Sequence, residues 1–542
     1  MKIEFVGGAR TVTGSSYIIK DDDFTIMIDC GMFQGTRELK ERNYLSLIYA
    51  PDKIDALILT HAHIDHSGLI PKLVKDGFKG KIFATKASCD LLQVMLPDSA
   101  HIQEMDAEWK TKRNKKLGRE AVLPLYVGED AAESLKYLNP QKYGDMFNVV
   151  PGVKCRFRDA GHILGSSFLE IFVTENGVDK KLVFSGDLGP KGQAIIKEAE
   201  TVEDADYLFI ESTYGDRLHK SKSDTYEEFK TIIHDAFNKK GNMVIPSFAV
   251  ERTQEIVFTL SKLFREDNIP QIPVFIDSPL AIAATEIFRN NTDCFNDEMN
   301  DLYKSGINPL DFPNLHMVQS TAESKELNKK AKGSIIISAS GMCTAGRIKF
   351  HLQNNLYKPQ SSVIFVGYQA EGTLGRLLVD GAKRVRVYGE DVAVNAKIHT
   401  LGGFSGHADR DGLLQWMSAI KNKNLTVFVV HGEENAALNF SETIREKFGY
   451  KTLVPVWGQI VNLETMEFEY ADYDSGKHPD LGTAKVDTDD IENSVTELQE
   501  MLHELINKYH TAKVKGSTSG MKSIKHDIED LKELINMVTI KL

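Results

Sequence analysis

Apolar positions through residues 1–213 fall in short runs closed by glycine or polar turns: "KIEFVGG", "SSYIIK", "FTIMIDCG", "DALILTHAH", "KIFAT", "KCRFRDAGH", "SSFLEIFVT", "KLVFSGD" and "YLFIEST". Runs of this length, rich in Ile, Val and Phe, predict β-strands. So many strands with few helices between them predict stacked sheets with helices outside. Residues 86–148 break the rhythm, with a helical and highly charged pattern ("HIQEMDAEWKTKRNKKLGRE"), and read as an insertion on that layer.

Over 214–395 the period changes. "TYEEFKTIIHDAFNKKG" and "ERTQEIVFTLSKLFRED" carry helical periodicity, and each precedes an apolar run, "NMVIPSF" and "PVFID". "KGSIIISASG" and "SSVIFVGYQ" continue the series. Helix and strand alternating in this way predict a parallel α/β domain. Residues 396–468 return to short strands ("TVFVVHGEE", "TLVPVWGQ") around the helix "DRDGLLQWMSAIKN", and 469–484 read as a linker. Beyond it Ile491, Val495, Leu498, Leu502, Leu505 and Tyr509, then Met521, Ile524, Ile528, Leu531, Ile535 and Val538, repeat at 4-3 spacing. That pattern predicts a helical hairpin over 485–542, packed on the body, on a second copy as a homodimer, or on a partner protein.

Composition narrows the class. Hydrophobic residues make up 42% and charged residues 26% of 542, an ordinary globular balance that implies more than one domain. No apolar run reaches the roughly 18 residues of a membrane helix. The N-terminus lacks the features of a secretion signal, so a cytoplasmic protein is expected. Cys30, Cys89, Cys155, Cys294 and Cys343 form no close pair, which points to buried thiols rather than disulfides or a thiolate site. A net charge of −12 excludes a broadly basic, nucleic-acid-coating surface. A nucleic-acid substrate then requires a local positive cleft.

The chemistry concentrates in "THAHIDHSGL" (60–69), three imidazoles and a carboxylate directly after a strand. These are ligand types that suit zinc and similar ions. An extended segment places His61 and His63 on one side. A turn into helix near Ser67 swings Asp65 and His66 towards a second point, so one segment can serve two metals. His162 in "RDAGHILG", Asp187 in "VFSGDLG" and His431 in "FVVHGEE" also end apolar runs and complete a coordination shell.

In this order, Asp29, "HAHIDH", His162 and Asp187 resemble the metallo-β-lactamase superfamily. "FIESTYG", "GFSGHAD" and "VVHGEE" resemble three further motifs of its β-CASP nucleases. "TVTGSSYII", "DCGMFQG", "SASGMCTAGR" and "GYQAEGTLGR" resemble the polyadenylation specificity factor endonuclease type, in the short prokaryotic form without KH domains. The resemblance spans roughly residues 1–465. It implies an αββα sandwich, discontinuous over 1–213 and 396–468, with a parallel α/β β-CASP domain (214–395) inserted as a cap.

The resemblance also implies roles. One zinc ion is held by His61, His63 and His162, the other by Asp65, His66 and His431, with Asp187 bridging them and a hydroxide between. Asp29 orients a ligand or the hydroxide. His407 is the general acid, oriented and kept protonated by Glu211. Arg252, Arg347 and Arg376 stand where strands give way to helices, and with Ser340 they are candidates for gripping phosphate. The implied activity is a two-zinc endoribonuclease on single-stranded RNA, leaving 5′-phosphate and 3′-hydroxyl. A 5′-to-3′ exoribonuclease and a non-catalytic RNA-processing scaffold are the alternatives. No aromatic platform for stacking bases stands out from the sequence.

Overall fold

A computed structural model describes residues 1–45, 50–116, 118–175, 177–370 and 372–471. The hairpin expected over 485–542 lies outside the described residues, as does most of the linker. The first residues of that linker belong to a strand, Phe468–Tyr470, which pairs antiparallel with Gln459–Asn462.

Two sheets carry the residues flanking the inserted segment. The first has eight strands, with Lys2–Phe5, Tyr17–Lys20, Thr25–Ile28, Ala56–Ile58 and Lys81–Thr85 in sequence across its centre. The second has seven, in which Tyr207–Glu211 lies between Val178–Phe184 and Thr426–Val430. Strand alternation sorts the side chains. Phe5, Ile26 and Ile28 of one sheet meet Phe157, Phe184, Phe209 and Phe428 of the other in a shared core. Met27 and Leu57 turn outward onto Leu73 and Leu92 of the helices Ile70–Lys75 and Lys86–Lys116. On the far side Val183, Leu208, Ile210 and Val427 turn outward onto Leu413, Met417, Phe440 and Ile444. Four layers, helix–sheet–sheet–helix, result.

The third sheet has six strands in the order Leu315–Met317, Val274–Ile276, Ile335–Ser338, Met243–Pro246, Ser362–Phe365, Lys397–Thr400. All its pairings are parallel. Met243 and Ile245 bury under one set of helices and Val244 under another, the two-sided cover that a parallel sheet requires.

Two sequence expectations change. The segment 86–148 is no appendage: after the 31-residue helix Lys86–Lys116, Leu138–Gln141 forms an edge of the first sheet and Met146–Val150 an edge of the second. Edge strands face solvent, so their mixed pattern hid them. The boundary expected at 395/396 falls later, because Lys397–Thr400 pairs in register with Ser362–Phe365 and so belongs to the third sheet.

Candidate metal centre

The residues singled out from the sequence gather where strands of the two stacked sheets end. Asp29 follows Thr25–Ile28; the segment 60–66 follows Ala56–Ile58; Asp187 follows Val178–Phe184; His431 follows Thr426–Val430. Glu211 closes Tyr207–Glu211, in register with Val430. The short helix Ile64–Ser67 starts immediately after His63, which separates His61 and His63 from Asp65 and His66.

Asp187 occupies the middle. Its Oδ2 lies 3.5 Å from His61 Nε2 and 3.5 Å from His162 Nε2. Its Oδ1 lies 3.3 Å from His66 Nε2 and 3.5 Å from His431 Nε2. His63 joins the first group through Nδ1, 3.2 Å from both His61 Nε2 and His162 Nε2. Donor atoms of His61, His63, His162 and Asp187 all lie within 4.8 Å of one another, as do those of Asp65, His66 and His431.

The remaining ring nitrogens of His66, His162 and His431 are anchored. His66 Nδ1 donates to Asp29 Oδ2 at 2.7 Å, and Asp29 in turn accepts from the amide (2.7 Å) and hydroxyl (2.8 Å) of Thr60. His162 Nδ1 donates to the Gly406 carbonyl at 2.7 Å. His431 Nδ1 shares a 2.6 Å hydrogen bond with Ser15 Oγ. Anchoring one nitrogen aims the other, the usual support for a metal-binding histidine. Sequence reasoning missed Ser15 and Thr60 as anchors; the signal was "TVTGSS" and the threonine opening "THAH", both of which look like turn residues.

The centre fits a cation. His66 Nε2 and Asp187 Oδ1 are buried without a hydrogen-bond partner among the described residues, a costly state that metal ligation relieves. Burial drives His61 and His162 well below the ordinary imidazole value, and His63 and His431 to about 3, so their lone pairs are available. Burial opposes ionisation of Asp187, but the surrounding rings, His431 foremost, outweigh it and hold the carboxyl well below its usual range.

His407 stands on the third side. Its Nδ1 is 3.1 Å from Glu211 Oε2 and 3.9 Å from Asp187 Oδ2. Burial disfavours the charged ring, yet the Glu211 and Asp187 carboxylates prevail and place it at about 9. Asp409, two residues on, caps the helix Arg410–Met417 by accepting from the Gly412 amide, which fixes the loop that presents His407.

The four phosphate candidates diverge. Arg252 is buried beside Gly406: a β-carbon built on that glycine would sit 2.6 Å from Arg252 Nη2 and 3.2 Å from His162 Cε1. Its Nη1 also pairs with Glu255. Ser340 Oγ accepts from the Thr344 and Ala345 amides at 3.1 and 3.3 Å, and Gly341 next to it packs on Phe248, whose ring lies 6.2 Å from that of His63. Arg347 is committed to Asp277 (2.7 Å) and to the carbonyls of Val318 and Gln319. Arg376 pairs with Asp380 on its own helix at 2.9 Å.

A four-layer sandwich that brings a carboxylate between two groups of imidazoles defines a metal-dependent hydrolase. Family models agree: that of the metallo-β-lactamase superfamily matches residues 9–199, the Beta-Casp domain 253–378, and the Zn-dependent metallo-hydrolase RNA specificity domain 391–455. Ribonuclease TTHA0252 of Thermus thermophilus is 35% identical over 438 residues, which is 81% of this chain and 94% of that protein. Transcription termination factor FttA of Methanocaldococcus jannaschii is 29% identical over 465 residues, 84% of this chain and 70% of that one. The FttA of Thermococcus kodakarensis is 29% identical over 472 residues, again 84% and 70%. The chain belongs to the β-CASP family of the metallo-β-lactamase superfamily. No helix among the described residues is long and apolar enough to cross a membrane.

Proposed function

We propose that the chain is a zinc-dependent endoribonuclease that hydrolyses single-stranded RNA to 5′-phosphate and 3′-hydroxyl ends. The observation that carries the reading is the placement of Asp187, with one oxygen towards His61 and His162, the other towards His66 and His431, and His407 beside it. A carboxylate so placed suits two ions, one held with His61, His63 and His162 and the other with Asp65, His66 and His431. Bound there, zinc would lower the pKa of water and offset charge on the phosphate under attack. RNA is supported by the RNA specificity domain at 391–455 and by the ribonuclease among the relatives.

This chain's own residues supply the rest. Water adds to phosphorus, the bond from phosphorus to the ribose O3′ breaks, and O3′ leaves needing a proton. His407 holds that proton at Nε2 while Glu211 grips Nδ1. Arg252 contacts the phosphate, with Ser340 nearby on the inserted sheet. Arg347 acts by tying its segment to Asp277 and to the Val318 and Gln319 carbonyls, whereas Arg376 is engaged by Asp380. Buried cysteine side chains, Cys89, Cys155, Cys294 and Cys343 among them, suit a reducing, cytoplasmic setting.

The test uses a labelled RNA blocked at its 5′ end. Internal cleavage that stops on chelation and returns with zinc supports the reading. Intact blocked RNA beside a degraded 5′-phosphorylated control would overturn the endonuclease assignment in favour of the exonuclease. His407→Ala should lower cleavage at least about 100-fold while bound metal, measured by elemental analysis, stays near that of the unaltered chain. A chain whose activity survives this change does not use His407 as its acid.

A further inference from the structure

Beside the metal centre opens a cleft of about 570 Å³ that none of these roles uses. It is joined to the centre through the backbone. The His431 amide donates to the Gly8 carbonyl at 2.7 Å, and Ser15 holds the His431 ring. Arg10 and Thr13, between those anchors, line the cleft, as do Glu433 and Glu434 just beyond His431. Across from them the Arg42 guanidinium lies 4.5 Å over the Trp457 ring and 5.5 Å from that of Phe33. Trp457 is pinned by its indole N–H, which donates to the Val6 carbonyl at 2.9 Å. Guanidinium and indole thus lie face to face, a preset stacked pair in the wall of the cleft.

Its carboxylates are already engaged: Arg10 pairs with Glu434, and the Tyr368 hydroxyl donates to Glu433. A phosphate would bring uncompensated negative charge against Glu433 and Glu434. A neutral, planar group with hydrogen-bonding edges matches the lining, and the volume falls in the range of about 300–1,000 Å³ that small organic ligands occupy. Indole and guanidinium faces both stack on nucleobases whatever the sequence. We propose that this cleft seats one base of the RNA next to the scissile phosphate, stacked on the Arg42–Trp457 wall. The proposal rests on the ribonuclease reading.

Its test is a set of otherwise identical RNAs, each lacking the base at one position around the cut, assayed with the full-length zinc-loaded chain. One position should stand out, where removing the base raises KM about tenfold and changes kcat much less. In Trp457→Ala the KM for intact RNA should rise by a similar factor, and the penalty at that one position should vanish while those elsewhere persist. Arg42→Gln should lose the same penalty, and serves if Trp457→Ala fails to fold by circular dichroism. A structural role for the pair would weaken all positions alike. The proposal is overturned if the unaltered chain cuts intact RNA with no position standing out, or if the penalty survives in the folded variants. Failure of the unaltered chain to cut any intact RNA is a separate result that removes the ribonuclease reading itself.

Discussion

Burial drives each ionisable side chain towards its neutral form, and buried residues of this site differ in whether a partner reverses that drive. For His407 the carboxylates of Glu211 and Asp187 reverse it. Glu211→Gln keeps the side chain's shape but removes its charge, so the ring is less well held and less readily protonated. Single-turnover cleavage should fall about 10- to 100-fold, with bound metal unchanged; an undiminished rate would show that His407 needs no such partner. For Glu251 nothing reverses the drive. Burial, reinforced by the charge of Glu255, raises its carboxyl to about 8, although it accepts the Leu164 amide at 3.0 Å. An acid raised on folding binds more protons folded than unfolded between its two pKa values. Its contribution is therefore fully present below the unfolded value and is lost as pH rises towards 8, at up to about 1.4 kcal/mol per pH unit. Glu251→Gln, permanently neutral, should match the unaltered chain near pH 4 and exceed it by a few kcal/mol near pH 9, as measured by denaturant unfolding. Equal stabilities at both pH values would show that the folded chain ionises Glu251 without cost.

At the scale of elements, the site depends on two loops packed backbone to backbone. Cys30 and Met32 amides donate to the carbonyls of His66 and Ile64, and the Ser15 amide to that of Asp65. A β-carbon built on Gly31 would lie 1.7 Å from the Asp65 carbonyl oxygen, so the turn bearing Asp65 and His66 would have to move. Gly31→Ala should lower metal content, through the Asp65, His66 and His431 group first, and cost on the order of 1–3 kcal/mol. Full metal content in that variant would show the loop to be compliant. The same contrast explains what the sequence could reveal. "HAHIDH" was legible as a candidate site because its imidazoles and carboxylate are local, and a strand followed by a helix turn sorts them into two groups without help from elsewhere. The support given by Ser15, Thr60 and the Gly406 carbonyl was not, because it comes from distant loops and in part from backbone atoms. Edge strands such as Leu138–Gln141, which carries Pro140, lack the apolar alternation that marks central ones. That is why 86–148 read as an insertion.

Across the whole molecule, the chain leaves the second sheet after Glu211, builds the third sheet, and returns as Thr426–Val430 to pair beside the strand it left. His431 at the end of that returning strand completes a group begun by Asp65 and His66. A metal held there would tie the two passes of the chain together across the inserted segment. Binding to the folded state alone stabilises by RT ln(1 + [L]/Kd), about 4 kcal/mol at a thousandfold excess over Kd. Zinc should accordingly raise the unfolding midpoint and chelation lower it, and His431→Ala should keep only part of that increment while binding less metal. The location of the effect is the sharper measure. On chelation, hydrogen exchange should quicken at 60–67 and 426–433, where ligands lose their ion. It should change little at Met243–Pro246, a central strand of the third sheet that is buried on both faces by its own helices. Equal quickening at Met243–Pro246 would mean that the third sheet has no stability of its own, and that the metals hold all three sheets together as one cooperative unit.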